Sequence, residues 1–255
     1  TDSAEVVDLL RRDTGGNDIL YFARHFKGRS YVAHTLEVTD PERLVVNLRE
    51  LDCTTLVETV CALALTHRQG SDRFVDYCRN LERLRYRGGR MNGYLSRLHY
   101  FTWWMHDNVK KGLFREVSDR RHFTAPMTVR NFYMSQHYAD YRIPAAHPEW
   151  RDSIAALERA ENGADGFYLP QAATALTREQ LGTVHDGDLV AIVTTKAGLD
   201  YSHLGFAVWG KDGRLHLLNA SSVYKQVVED SVRLSDYLAR RKSFVGIRLL
   251  RLNEP

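Results

Sequence analysis

The sequence predicts an α+β fold, a helical N-terminal part packed on a mostly antiparallel sheet. Two observations carry this. Through the first two-thirds of the chain, apolar residues recur at the three- and four-residue spacing of helices. From Gly187 onward the texture changes to five runs, DLVAIVTT, HLGFAVWG, RLHLLNAS, YKQVVE and FVGIRLLRL, separated by Gly/Asp turns. Helices first and strands afterwards is the arrangement of an α+β domain, not of an alternating one.

In chain order, residues 4–12 and 18–26 are short amphipathic helices separated by the turn signal TGGN. Residues 30–38 suit a strand or a loop. A helix follows Cys53 to about His67 and is ended by Gly70. Residues 72–86 place Phe74, Tyr77, Cys78, Leu81 and Leu84 on one helical face. RGGRMNG at 87–93 is a loop, and an aromatic-rich segment at 94–105 follows. Residues 128–138 and 149–161 read as further helices. There is no internal repeat, so residues 1–255 are expected to form a single catalytic domain, with a helical elaboration at about 71–165.

Composition excludes several functions. A net charge of +3 over 255 residues is too small to argue for nucleic acid. No apolar run approaches the ~18–20 residues of a membrane-spanning helix. Eleven histidines are present, but HExxH and recognisable zinc spacings are not. No metal or other cofactor is therefore expected. Three cysteines, Cys53, Cys61 and Cys78, form no paired framework. Cys61 and Cys78 sit among Val60, Leu63, Phe74 and Val75 and read as small buried hydrophobes.

Cys53 is different. In LDCTTLVETVCALA, the residues Asp52, Thr54 and Thr55 are types favoured at helix starts, and Thr55-x-x-Glu58 fits a capping box. Leu56, Val57, Val60, Cys61 and Ala64 then form a buried stripe. A thiol at a helix start meets unpaired backbone N–H groups and the positive end of the dipole, which favour thiolate. The Asp52 charge opposes this. From the segment alone, a nucleophile and a merely buried cysteine near a cap are both open.

A partner for the thiol lies in GLDYSHLGFAVWGKDGRLHLLNASS, which reads as a hairpin around Lys211-Asp212-Gly213. A three-residue loop ending in a left-handed glycine sets the register as Gly210 with Arg214, Gly205 with Asn219, and His203 with Ser221. His203 and Asn219 are then diagonal neighbours on one face. One imidazole nitrogen can donate to Asn219 while the other meets Cys53. His216 points the other way and reads as structural.

DCTTLVE, SHLGFAV and LLNASS resemble the DCSGFV, HVGIY and IHASS segments of the NlpC-type cysteine peptidases, which have a papain-like fold. LEVTDPERLVVNLRELDCTTLVETVCALA, SRLHYFTWW, GLDYSHLGFAV and LHLLNASS more closely resemble one branch, the N-acetylmuramoyl-L-alanine amidase-like family. The resemblance spans about residues 26–252. It implies Cys53 as nucleophile, His203 as base, Asn219 as the group orienting the imidazole, and Tyr31 beside the nucleophile. Leu56 stands where phenylalanine is usual, and Asn219 where the wider clan often has histidine.

The implied reaction is hydrolysis of the amide between N-acetylmuramic acid, often its anhydro form, and L-alanine in peptidoglycan fragments. Arg97 and Tyr100 are expected to position the substrate, and Tyr31, Asp52, Thr54, Asp200 and Ser202 to line the pocket. Tyr94, His99, Trp103 and Trp104 are further stacking faces, or a buried aromatic stripe. Rival readings are a stem-peptide endopeptidase of the same clan, a thiol acyltransferase, and a catalytically silent binding module for wall fragments. The implied location is the bacterial cell envelope, periplasmic or secreted, with the leader removed.

Overall fold

The computed structural model describes residues 1–254. Helices α1 (Asp2–Leu10) and α2 (Asp18–His25) lead to the short strands β1 (Ser30–Tyr31) and β2 (Glu50–Leu51). Then come α3 (Cys53–Arg68), α4 (Phe74–Arg85), α5 (Phe101–Lys110), β3 (Phe114–Val117) and β4 (Ala125–Thr128). The short helices α6 (Tyr133–Gln136) and α7 (Arg142–Ala145) precede α8 (Arg151–Glu161) and β5 (Asp165–Pro170). The C-terminal part holds β6 (Leu189–Thr194), β7 (Tyr201–Trp209), β8 (Leu215–Ser221), β9 (Gln226–Arg233), α9 (Leu234–Ala239) and β10 (Phe244–Leu252).

The strands form one sheet in the order β2-β1-β9-β8-β7-β6-β10-β5-β4, with β3 also on β10. All pairings are antiparallel except β1 with β2. The expected mixed α+β architecture with a large, mostly antiparallel sheet is the one observed. Strand alternation divides the apolar side chains between two cores. Leu204, Phe206, Val208, Leu218 and Ala220 face α3 and the other N-terminal helices. Ala207, Trp209, Leu215 and Leu217 face a smaller core closed by Leu234 and Leu238 of α9.

The structure corrects several expectations. Residues 128–138 are not a helix: the Asn131 N–H is taken by the Asn162 side chain, and the Phe132 and Tyr133 N–H groups by the Gly198 carbonyl. Backbone donors committed elsewhere cannot propagate a helix, and only the short α6 forms. The 71–165 stretch is not wholly helical, because β3 and β4 join the sheet. Of 30–38, only two residues are strand. The strand β5 and helix α9 had no counterpart in the sequence reading. Cys61 is buried as expected, whereas Cys78 is half-buried at the edge of the core.

α3 is the helix that positions the site. It is buried without a break from Thr55 to Thr66, packed against β7 and β8 on one side and α1, α2 and α4 on the others. Glu58 is not part of its cap, as the Thr55-x-x-Glu58 pattern suggested. Its carboxylate accepts from Arg85 of α4 at 2.7 Å, with both side chains nearly inaccessible. Arg85 also donates to the Val45 carbonyl at 2.7 Å, tying the 34–48 loop to the same pair.

An ion pair removed from water is costly to break, because the remaining charge is stranded. Arg85→Ala is expected to lower the unfolding free energy by about 3–5 kcal/mol in urea titration. The double replacement Glu58→Met/Arg85→Met should lose clearly less than the single one. An equal or greater loss in the double variant would show that the charges themselves are required.

Candidate active site

Cys53 is the first residue of α3, and Asp52 is its N-cap. The capping box is reciprocal: Thr55 N–H donates to Asp52 Oδ1 at 2.8 Å, and Asp52 N–H donates to Thr55 Oγ1 at 2.9 Å. The box therefore starts three residues earlier than the sequence pattern indicated. It is Asp-x-x-Thr, with Cys53 and Thr54 as the intervening residues. That arrangement holds the thiol at the rim of a helix otherwise buried.

The hairpin carrying His203 has the expected register. Gly210 N–H donates to the Arg214 carbonyl at 2.9 Å, Gly213 has φ +69°, and Phe206, Ala207, Val208 and Trp209 pair with Leu218, Leu217, His216 and Leu215. The ladder ends at Phe206–Leu218, short of the expected Gly205–Asn219 and His203–Ser221 pairs. Backbone alternation turns the Leu204 N–H towards β8, where no strand partner takes it. That N–H and the donors of Thr54 face the Cys53 sulfur and favour its thiolate. Gly205 permits the close approach, since a Cβ there would lie 2.7 Å from the Leu218 carbonyl oxygen.

A bulge orients His203. Ile192 of β6 opposes His203, whereas Val193 opposes Tyr201, so Ser202 is the extra residue. Tyr201 is thereby turned into the larger core, and His203 stays on the face of Ala207. There His203 Nε2 lies 2.9 Å from Asn219 Oδ1. The wholly buried Asn219 presents its oxygen because its own NH2 faces the Leu217 carbonyl. The Nε2–H thus donates, and the lone pair resides on Nδ1. His216, as expected, is structural, with its ring nitrogens at the Asp230 carbonyl and at Asp212.

The electrostatics differ from the simple helix-start expectation. Burial, and then the Asp52 charge, push the Cys53 thiol up to about 12, against the downward pull of Leu204 and Thr54 donors. Burial also lowers the His203 pKa, opposed by the Asn219 bond; Arg241 lowers it further and Asp52 raises it. Both shifts favour the uncharged forms of the two groups. Tyr31 sits by the thiol, and its hydroxyl pKa is raised by burial and by the Cys53 and Asp52 charges.

The remaining sequence candidates fall into two groups. Ser202 is exposed in the His203 pocket. Asp52 and Thr54 line a second cavity of about 170 Å³ with His34, Glu37, Arg97 and His99. Arg97 borders that cavity, but its guanidinium is paired with Glu37 at 2.5 Å and Glu42 at 3.4 Å. It anchors the loop forming the cavity wall and is not a free carboxylate clamp.

Tyr100 and Asp200 are turned inward. The Tyr100 hydroxyl donates to Glu158 and accepts from Met134 N–H, and Asp200 accepts from Thr102 and Arg130 N–H. Both hold the scaffold, because their polar atoms are committed away from the cleft. Trp103 and Trp104 are core residues, the buried-stripe alternative. Tyr94 is likewise buried, its ring beneath the Arg97 guanidinium.

Sequence reasoning missed Tyr237, whose ring stacks near that of His203 at 6.3 Å and whose hydroxyl pKa burial and then, against Arg241, the Cys53 charge push up. The signal was present: Leu234, Tyr237 and Leu238 have helical spacing. No cluster of metal-ligating side chains occurs among the described residues.

The chain is similar to solved structures over nearly its whole length. An N-acetylmuramoyl-L-alanine amidase from Bacteroides uniformis is 38% identical, with 94% of this chain and 100% of that one covered and a TM-score of 0.86. A Bacteroides fragilis protein provisionally named a xylanase is 40% identical, with 91% and 100% covered and a TM-score of 0.85. A Legionella pneumophila protein, 23% identical with a TM-score of 0.74 over 98% and 94% of the two chains, shares the fold. No curated protein matches the chain. The N-acetylmuramoyl-L-alanine amidase-like family model matches residues 21–247, and the chain belongs to that family.

Proposed function

We propose that this protein is a cysteine amidase with a papain-like, NlpC-type catalytic arrangement. It hydrolyses the amide joining the lactyl group of N-acetylmuramic acid, open or anhydro, to L-alanine in peptidoglycan fragments, within the cell envelope. The observation that carries the reading is the pairing of His203 Nε2 with Asn219 at 2.9 Å, together with a thiol at the first position of the buried helix α3. The amidase name of the Bacteroides uniformis relative supports the bond assigned. No helix among the described residues is long and apolar enough to cross a membrane.

In this mechanism His203 Nδ1 takes the Cys53 proton as the sulfur forms a bond to the amide carbonyl carbon. The carbonyl oxygen becomes an oxyanion and accepts from the Cys53 N–H, one of the helix-start donors that no helical carbonyl takes. Tyr31 borders the same position. Collapse breaks the C–N bond, and the imidazolium gives its proton to the departing alanine nitrogen. Water, deprotonated by His203, then cleaves the thioester and restores the thiol. Because both pKa shifts favour the neutral thiol and the neutral imidazole, proton transfer accompanies attack in this mechanism.

Cys53→Ala is expected to lower turnover by at least about 10⁴-fold, with little change in thermal unfolding because the side chain lies at the helix rim. Cys61→Ala, which opens a small cavity, should cost about 1 kcal/mol of stability and retain turnover. Cys78→Ala should be near neutral in both assays. Retained activity in the Cys53 variant would overturn the mechanism.

The base works only when neutral, that is, above its pKa. Burial lowers the His203 pKa, so kcat/KM should fall only as pH drops below the usual imidazole value of about 6.5. With the thiol at about 12, no alkaline decline should arise from its ionisation in the neutral and mildly basic range. An acid limb above the ordinary imidazole value would contradict this assignment.

Mass spectrometry of products from open and anhydro muropeptides should show free sugar and an intact stem peptide beginning with alanine. Release of dipeptides from a sugar-free stem peptide at the same rate would favour the endopeptidase instead.

A further inference from the structure

Two cavities flank the candidate site, and their charges are opposite. The cavity beyond Asp52 and Thr54 also has Glu37 and Glu58 in its wall, paired with Arg97 and Arg85, and Glu42 is a second partner of Arg97, so Asp52 is the lining carboxylate left without a cation. The larger cavity, about 500 Å³, has His203 in its wall together with Lys196, Ser202, Tyr237, Arg240 and Arg241, and no Asp or Glu lines it. Arg240 and Arg241 are exposed at the end of α9. Lys196 reaches in from the β6–β7 turn, its Nζ 4.6 Å from the centre of the Tyr133 ring. Arg241 and His203 line the same cavity, and the Arg241 charge lowers the imidazole pKa.

Like charges gathered without a counter-ion repel one another and raise the local concentration of anions. The chemistry at His203 determines which part of a substrate arrives there. The imidazole must deliver its proton to the departing nitrogen, so the leaving group lies on the His203 side and the acyl group on the Asp52 side. In a muramoyl–alanine amide the lactyl carboxyl is consumed in the scissile bond, so the sugar half is uncharged. The peptide half carries free carboxylates. An uncharged half against the acidic wall and an anionic half against the basic wall is the only orientation in which both charge and proton transfer agree.

We infer that the cavity lined by Lys196, Arg240 and Arg241 is the subsite for the leaving stem peptide, selecting peptides with free carboxylates over amidated ones. This rests on the amidase reading and adds to it an orientation of the substrate and a specificity at the peptide end. The cations touch groups remote from the scissile bond, so their effect falls mainly on KM.

The test compares a muropeptide bearing free peptide carboxylates with the same compound in which those carboxylates are amides. Wild-type protein should favour the acid form by about tenfold in kcat/KM, mostly through KM. Arg240→Ala/Arg241→Ala should abolish that preference, and Arg240→Lys/Arg241→Lys should keep most of it. Equal cleavage of the two forms by wild type, or an unchanged preference in the alanine variant, would overturn the subsite while leaving the amidase reading intact.

If neither compound is cleaved, the amidase reading falls and calorimetry decides the subsite separately. The free stem peptide, in acid and amide forms, is titrated into Cys53→Ala protein with and without the two arginine changes. Tighter binding of the acid form, lost with Arg240 and Arg241, supports the subsite. Equal or absent binding refutes it.

Discussion

A helix buried on every side must find a partner for each polar group it carries, because an unpaired one costs several kcal/mol. α3 has four such side chains in its buried stretch, and the surrounding elements are arranged around them. Thr55 closes the cap with Asp52, and Thr59 lies beside Tyr77 of α4. Glu58 takes Arg85, and Thr66 donates to the Ala62 carbonyl while accepting from Asn80. Two hydrogen-bond partners, Asn80 and Arg85, lie on α4. α4 is thus locked in rotation and height against α3, and the 34–48 loop follows through Arg85 and Val45.

The same burial shapes the reactivity of Cys53. A helix start normally favours the thiolate, but here loss of solvent and the capping carboxylate outweigh the nearby donors. The capping residue that fixes the helix also disfavours charge on its first side chain. Under the proposed mechanism, a neutral thiol and a neutral imidazole would react only when an electrophile is seated, since charge would then appear on groups with donors already aimed at it. Such a site resists adventitious modification better than a standing ion pair would.

The sheet contributes by ending its ladders early. If β7 and β8 paired through to His203, the Leu204 N–H would be spent on the sheet and would not face the Cys53 sulfur. The bulge at Ser202 separates the roles of neighbouring side chains, with Tyr201 bonded to Arg248 in the core and His203 at the cleft. Departures from regular pairing recur at sites where a side chain must be re-aimed, and here two of them fall within five residues.

Much of this was legible in local pattern. The periodicity of α3, the loop length around Gly213 and the resulting proximity of His203 and Asn219 depend on interactions within a few residues or across one hairpin. Backbone geometry alone settles such features. Interactions between distant segments decided the rest. Arg97 reads as a free cation until Glu37 and Glu42 are folded onto it, and the 128–138 segment reads as a helix until Gly198 takes its donors. Thr55-x-x-Glu58 is a valid capping pattern, overridden because burial requires Glu58 to meet Arg85, 27 residues away. The differing charges of the two cavities exist only once helix, hairpin and α9 converge. Charge and burial are properties of the surroundings, and those the chain acquires only by folding.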